Sequence, residues 1–191
     1  MAAPEIRFCR VCGASTVRSI PPMEDRERAV CPACGYVDYV NPVNVVGTVP
    51  VWVDDSGEPQ ILLCLRNIEP RRGFWTLPAG FQEVGETTQE GAVRETLEEA
   101  GARVSLEGLF SVQEVVHVAQ VHLFYRARLL DLELSPGLET IENRLFGVFE
   151  IPWDDLAFHT VRRTLEAWVA DHARGVFGVH TGSITRPMPR T

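Results

Sequence analysis

Between Gly80 and Ala102 the chain reads GFQEVGETTQEGAVRETLEEAGA, and this stretch limits the possible fold more than any other. Its second half carries the marks of a helix over about Thr88–Ala100. Thr87 and Glu90 have the spacing of a capping box, and Gly101 is placed to end the helix in the left-handed conformation. At about 100° per residue, Glu95, Glu98 and Glu99 fall within an arc of roughly 100°. Like charges one turn apart repel by a few tenths of a kcal/mol, so a helix selected only for stability would alternate their signs. Val93, Leu97 and Ala100 are expected to anchor the opposite face on a sheet, leaving the carboxylates turned toward a loop that carries Glu86. Arg94 is spaced to pair with Glu90 or Glu98. Gly91, one turn before Glu95, costs ~1 kcal/mol relative to alanine and implies a close approach to the backbone there. Rigid, clustered carboxylates suit a hard divalent cation, since Mg²⁺ takes oxygen ligands and keeps waters that phosphate oxygens can replace. A solvated acidic face is the plainer reading of the same three glutamates.

The flanking sequence places this helix in an α/β context. Asn44–Val53 reads as a valine-rich strand ending in the turn Asp54-Asp55-Ser56-Gly57, and Gln60–Arg66 returns as a second strand. Val104–Val118, Val121–Leu130 and Leu145–Ile151 read as further strands. A last helix is expected at about Val161–Ala173, with Thr160 as its N-cap and Leu165, Trp168, Val169 and His172 on one stripe. Strands on either side of a helix, without regular βαβ repetition, predict a mixed sheet packed between helices.

The residues around the glutamates decide between the two readings. A Gly, five residues, a Glu, seven residues, Arg-Glu, two residues, Glu-Glu, one residue and a Gly describe Gly80, Glu86, Arg94, Glu95, Glu98, Glu99 and Gly101. This pattern resembles the signature of the Nudix hydrolases. Thr96 and Ala102 stand where the family usually has bulky aliphatic residues, which concerns packing rather than chemistry. The resemblance implies an α/β/α sandwich with a mixed sheet. It also implies Mg²⁺- or Mn²⁺-dependent hydrolysis of the diphosphate bridge in a nucleoside diphosphate conjugate. Glu98 and Glu99 would then be the main metal ligands, Glu95 a further one, and the Gly80 carbonyl a contributor, with Arg94 orienting the carboxylates. The ions would neutralise phosphoryl oxygens and align a water for attack on phosphorus. The base is either a glutamate of the signature or an acid from a later loop, for which Glu139 and Glu142 in PGLETIE are the candidates.

Ahead of this region lie two CxxCG knuckles, Cys9-Arg10-Val11-Cys12-Gly13 and Cys31-Pro32-Ala33-Cys34-Gly35. Two-residue spacing lets both thiolates of a knuckle bind one tetrahedral zinc, and four thiolates close its shell, so the expected role is structural. Disulfides are the alternative. The fifth cysteine, Cys64 in LLCLR, reads as a small buried hydrophobe. A four-cysteine zinc ribbon before a Nudix domain resembles the group of enzymes linked to FAD, NADH and ADP-ribose hydrolysis. NPVNVVGTVPVW, IEPRRGFWTLPAGF, PGLETIENRLF and IPWDDLAF are similar to stretches of the plant FAD pyrophosphatase and its bacterial relatives. The motif rich in Ser, Gln, Pro and Trp that marks NADH pyrophosphatases does not follow the signature. The expected organisation is a zinc ribbon over residues 1–40, a Nudix hydrolase domain over 41–174 and an irregular tail over 175–191.

Substrate phosphates could be held by Arg66, Arg71, Arg72 and Arg126, since guanidinium groups recognise phosphate bidentately; ordinary surface arginines are the competing reading. Trp75 could stack on a base or flavin ring or pack in the core. The histidines show no metal-binding spacing. A net charge of −8 argues against nucleic-acid or anionic-surface partners, which need clustered Lys and Arg. No apolar run is long enough for a membrane span and no secretory leader is visible, so a reducing, cytoplasmic setting is expected. The leading expectation is an enzyme acting on FAD or ADP-ribose, as a homodimer like many of its relatives. NADH hydrolysis and sanitation of damaged nucleoside triphosphates are the enzymatic alternatives. A non-catalytic Nudix sensor is a further one, although such sensors usually lose a glutamate of the signature.

Overall fold

The computed structural model describes residues 5–185, which form two compact units that divide between Pro42 and Val43. The first is a three-stranded antiparallel sheet of β1 (Val17–Ser19), β2 (Arg28–Val30) and β3 (Val37–Asp38). So small a sheet buries little apolar surface: Cys9, Cys31 and Ala29 are its buried hydrophobic side chains among the described residues. Its ordering therefore rests on turns and polar links. Gly13 and Gly35 adopt φ of 75° and 76° and donate to the carbonyls of Cys9 and Cys31, each at 2.8 Å.

The second unit is built on one mixed sheet. Its strands are β4 (Val43–Val53), β5 (Pro59–Arg66), β6 (Trp75–Thr76), β7 (Ala79–Phe81), β8 (Val104–Val115), β9 (Gln120–Leu129), β10 (Thr140–Gly147) and β11 (His180–Ile184). The main order is β10-β5-β4-β9-β8-β11, with β6 paired to β5 and β7 to β4. β4–β9 and β8–β11 run parallel, and the other pairs are antiparallel. Helix α1 (Thr88–Ala100) packs on one face and α2 (His159–Arg174) on the other. Both faces are thus buried, which explains the uninterrupted run in β5: Ile61 and Leu63 enter the core beneath α2 with Phe110, Phe124 and Trp168, while Leu62 and Cys64 pack with Ala100 beneath α1. The α/β/α sandwich with a mixed sheet is the fold expected. Among the described residues no helix is long and apolar enough to cross a membrane.

Four expectations change. The strand after α1 stops at Val115, because a 3₁₀ turn at Val116–Val118 and Ala119 at φ 53° reverse the chain. β10 starts at Thr140 rather than Leu145; it is an edge strand whose Glu142, Asn143 and Arg144 hide its pairing with β5. α2 starts at His159 with Phe158 in the N-cap position and no side-chain cap, while Thr160 lies buried inside the first turn. Ala157 N–H donates to the Trp75 carbonyl, so packing rather than a capping hydroxyl sets where this helix begins. Finally, the segment 175–191 is not irregular throughout, since β11 adds to the edge of β8. Asp171 at the end of α2 ties it down: its carboxylate accepts from Gly178 N–H at 3.0 Å, lies 2.7 Å from His180 Nε2, and meets Arg174. Residues 186–191 lie outside the described part.

Candidate active site and metal centre

The loop before α1 is shaped by its own polar groups. Glu83 N–H donates to Glu86 Oε1 at 2.8 Å, Gln82 Nε2 to the Glu86 carbonyl at 2.8 Å, and Asn44 Nδ2 to Gln82 Oε1 at 2.9 Å. Thr87 and Glu90 form the capping box in both directions, and Gly101 closes α1 at φ 62° with its N–H on the Leu97 carbonyl.

Arg94 is the hub of the carboxylates. It donates through Nε and Nη2 to Glu86 at 3.0 and 2.7 Å, and through Nη1 to Glu95 at 2.7 Å and Glu98 at 3.2 Å. Its Nη2 also reaches the Phe81 carbonyl at 3.1 Å. Glu90, an expected partner, is committed to the capping box instead. A guanidinium offers five donors in a fixed fork, which is how one side chain organises three acids. Arg94 holds the Glu86 carboxyl down to about 2, helped by Glu83 N–H.

The helix faces differ from expectation. Gly91, Ala92, Thr96, Glu99 and Ala100 are the buried residues of α1, whereas Leu97 is 51% exposed. The glutamates therefore do not sit opposite an anchored apolar stripe; Glu99 belongs to the anchored side and Glu98 to the solvent. This works because the neighbours are small. A Cβ at Gly80 would lie 2.3 Å from the Glu95 carboxyl group, and one at Gly91 would lie 2.6 Å from Glu86 Oε1 and 2.8 Å from a Val46 methyl. Glu99 accepts from Ala79 N–H at 3.0 Å. Burial, followed by the charges of Glu95 and Glu139, pushes the Glu99 carboxyl up to about 7 against the pull of Ala79 N–H and Arg66. Glu95 is also raised, first by burial. Oxygen donors of this kind, partly desolvated and in one another's field, fit a hard divalent cation.

The candidates outside the helix separate clearly. Glu139 is exposed, and its field reaches Glu95, Glu99 and Arg66. Glu142 is not at this site. It neighbours Asn143, whose Nδ2 reaches the Ala100 carbonyl at 2.8 Å on the α1 side, so strand alternation turns Glu142 the other way, with Arg144 and Phe146. Arg66, at the end of β5, donates to the Pro70 carbonyl at 3.0 Å, lies over the Phe158 ring at 5.0 Å, and faces the charges of Glu99 and Glu139. Arg71 lies over Phe74 at 5.2 Å, while Arg72 donates to Asn67 Oδ1 at 3.0 Å. Arg126 is displaced from the site. On β9 it shares the α2 face with Phe124, sits over the Phe177 ring at 4.1 Å and pairs with Glu107 at 3.6 Å. Trp75 is partly buried and packs edge-on against Phe146, with centroids 4.9 Å apart, at the margin of the α2-side core. Asn67 and Phe158 are the residues sequence reasoning missed. No spacing links either to the glutamate signature, and the contacts that bring them there, from Asn67 to Leu138 and Glu139 and from Phe158 to Arg66, are distant in the chain.

In the first unit, the ligand atoms of Cys9, Cys12, Cys31 and Cys34 all lie within 4.8 Å of one another. Cys9 and Cys34 sulfurs are 3.7 Å apart and those of Cys12 and Cys31 3.5 Å. None of these cysteines is in a disulfide. Tetrahedral zinc with bonds of about 2.3 Å would set its sulfurs about 3.8 Å apart, so the set fits that ion. Arg10 clamps the knuckle bearing Cys9 to buried Asp38 with two bonds of 2.7 Å.

Comparison with known proteins supplies an independent view. The family described as Nudix N-terminal, a zinc ribbon, matches residues 7–40, and the NUDIX domain matches residues 44–169. A NUDIX hydrolase structure from Nitrosomonas europaea is 43% identical with a TM-score of 0.89, covering 95% of this chain and 100% of that one. A Streptococcus suis ADP-ribose pyrophosphatase structure shares the fold at 22% identity and a TM-score of 0.55, covering 75% of this chain and 100% of that one. Among curated relatives, the NAD-capped RNA hydrolase NudC of Photobacterium profundum is 29% identical over 73% of this chain. The putative nudix hydrolase 1 of Caenorhabditis elegans is 35% identical over 62%. The chain spans 49% and 33% of the length of these two relatives.

Proposed function

This chain belongs to the Nudix family, and from that premise we propose that it is a divalent-metal-dependent pyrophosphohydrolase acting on a nucleoside diphosphate conjugate. The observation that carries the proposal is the cluster in which Arg94 holds Glu86, Glu95 and Glu98 while Glu99 is buried against Ala79 N–H. Glu98, Glu99 and Glu95, with the Gly80 carbonyl, would hold Mg²⁺ or Mn²⁺. Such an ion supplies neutralisation of phosphoryl oxygens and a more acidic water.

The chain's own residues do the rest. Arg94 fixes the rotamers of three acids, so little reorganisation is left when a substrate arrives. Arg66, backed by Phe158 and close to Glu99 and Glu139, is positioned to bind a phosphate oxygen. Arg71 supports the same loop. Glu139 is the acid we assign to accept a proton from the attacking water, because its charge reaches Glu95 and Glu99 while strand alternation turns Glu142 to the other face. The four cysteines would hold a structural Zn²⁺.

FAD and ADP-ribose are the first substrates to test. The relatives named for NAD-capped RNA favour a second reading, a conjugate of the NAD type. The test is a panel of FAD, NADH, ADP-ribose, NAD-capped RNA, diadenosine polyphosphate and oxidised dGTP, each with Mg²⁺ or Mn²⁺. Release of two nucleoside or sugar monophosphates from a conjugate supports the reading. Cleavage restricted to triphosphates would replace it with sanitation, and a metal-independent rate would refute it. A homodimer is part of the proposal, and sedimentation of the full chain tests it.

A further inference from the structure

Glu139 lies in the loop between β9 and β10, and its charge reaches Glu95 and Glu99, so the anchoring of that loop on α1 and β5 decides where the acid stands. One side of that loop is seated on the helix end. Ser135 N–H donates to the Ala100 carbonyl at 2.9 Å and Gly137 N–H to the Glu99 carbonyl at 3.0 Å. A Cβ at Gly137 would lie 1.9 Å from the Glu98 carbonyl oxygen, so the loop backbone approaches the helix as closely as glycine permits. These bonds also satisfy helix carbonyls left without partners at a C-terminus. They end, however, two residues before Glu139.

The other side is held by Asn67, the first residue beyond β5. Its backbone N–H donates to the Glu139 carbonyl at 2.8 Å, and its Nδ2 donates to the Leu138 carbonyl at 3.1 Å. Its remaining polar atom, Oδ1, accepts from Arg72 at 3.0 Å, which fixes which way the amide faces. Glu139 itself is followed by Thr140, which opens β10 opposite Arg66. The acid is therefore gripped at its own carbonyl and at the preceding one. We infer that Asn67, oriented by Arg72, is a positioning residue that sets the Glu139 carboxylate over the Glu95–Glu99 cluster. This rests on the pyrophosphohydrolase reading and gives Arg72 a role different from phosphate binding.

The two amide bonds are not equivalent under mutation. Any residue at 67 except proline keeps the backbone bond to Glu139. Only a side chain with a donor at the amide position keeps the bond to Leu138. Asn67→Ala removes that donor, and Asn67→Asp replaces it with an oxygen that repels the carbonyl while still accepting from Arg72.

The experiment is a double-mutant cycle on the full chain, using the conjugate of the panel turned over fastest, with Mg²⁺. Asn67→Ala and Asn67→Asp each lower kcat by about 10-fold, with KM within about twofold, since general-base placement accounts for effects of roughly 10²–10⁴-fold when lost entirely. In a Glu139→Gln background the same substitutions change kcat by less than about twofold, because the group they position is already gone. An equal drop in both backgrounds overturns the inference, as would no drop, a normal rate for Asn67→Asp, or a change confined to KM. Glu98→Gln in the same assay keeps the failures apart. If it leaves turnover intact, the metal-dependent reading falls. If it abolishes turnover while the Asn67 variants behave as wild type, only the positioning role falls.

Discussion

The thiol cluster of the first unit and the carboxylate cluster of the second both gather anionic ligands, but they are kept together differently. The four sulfurs stand within 4.8 Å of one another with the spacing of a closed tetrahedral shell. The carboxylates instead answer to separate partners: Glu86, Glu95 and Glu98 to Arg94, and Glu99 to Ala79 N–H. A closed shell suits an ion that stays and supports the fold, whereas acids shared with an arginine can exchange partners with an ion and a phosphate. Ligand chemistry alone does not separate structural from catalytic use. The identity of the second partner does.

The sharpest way to break this contrast is to neutralise one carboxylate at a time. Glu98→Gln and Glu99→Gln are expected to lower kcat by about 10²–10³-fold, the scale on which a preorganised electrostatic partner of a transition state acts, with the circular dichroism spectrum unchanged. Normal kinetics in both variants would place the two clusters in the same structural class. On the thiol side the effect should appear in metal content and folding instead. Cys31→Ser is expected to lower zinc below about half an equivalent per chain and to destabilise the first unit, because metal binding free energy is folding free energy in such small units. Element analysis and thermal melts measure this; a full equivalent of zinc in the folded variant would contradict the assignment.

How far these differences could be read from the sequence depends on their range. Thr87, Glu90 and Gly101 fix the ends of α1 through bonds within four residues, and both knuckles are written in adjacent letters; these were legible. So was β5 as a strand, from the run QILLCLR after the Asp54–Gly57 turn. The burial of Glu99 was not, because it depends on Ala79 approaching from β7, just as Gly80 approaches Glu95 and Val46 approaches Gly91 from other strands. The helical wheel instead named Leu97 as an anchor, and Leu97 is exposed. Glu139 and Glu142 look alike in PGLETIE, and only the start of β10 at Thr140 separates them, leaving Glu139 in the loop and turning Glu142 to the other face by strand alternation. The placement of Arg126 was hidden in the same way: strand alternation puts it on the α2 face, a fact of register rather than residue type.

Asp171 sharpens the comparison at an intermediate size of effect, as a buried carboxylate with every nearby donor committed to structure. The bonds from His180, then Gly178 N–H and Arg174, hold its carboxyl down to about 2. A depressed folded pKa stabilises above the ordinary aspartate value near 3.8, and that contribution disappears as pH falls toward about 2. Asp171→Asn is expected to lower Tm by roughly 5–8 °C, the scale of losing two hydrogen bonds to a buried charge. The variant should also lack the part of the wild-type decline between about pH 4 and 2, while kcat at neutral pH stays within about twofold. A large loss of turnover with no change in Tm would tie Asp171 to catalysis and erase the distinction from Glu99.

The smallest effect concerns neutral groups under α1. Thr96 departs from the aliphatic residue usual in the signature, and its Oγ1 lies 2.6 Å from Thr48 Oγ1 with both side chains fully buried. Thr96 Oγ1 also donates to the Ala92 carbonyl at 2.7 Å, which leaves Thr48 to supply the proton between the two hydroxyls. Thr96→Val therefore strands the Thr48 hydroxyl, and Thr48→Val removes a donor from Thr96; each should cost about 1 kcal/mol. Replacing both by valine leaves no buried hydroxyl unpaired and restores the aliphatic choice at 96. The double variant is expected to be more stable than the sum of the single effects by about 1 kcal/mol in urea unfolding. Strict additivity would show that the hydroxyls do not act as a pair and that Thr96 holds α1 by packing alone.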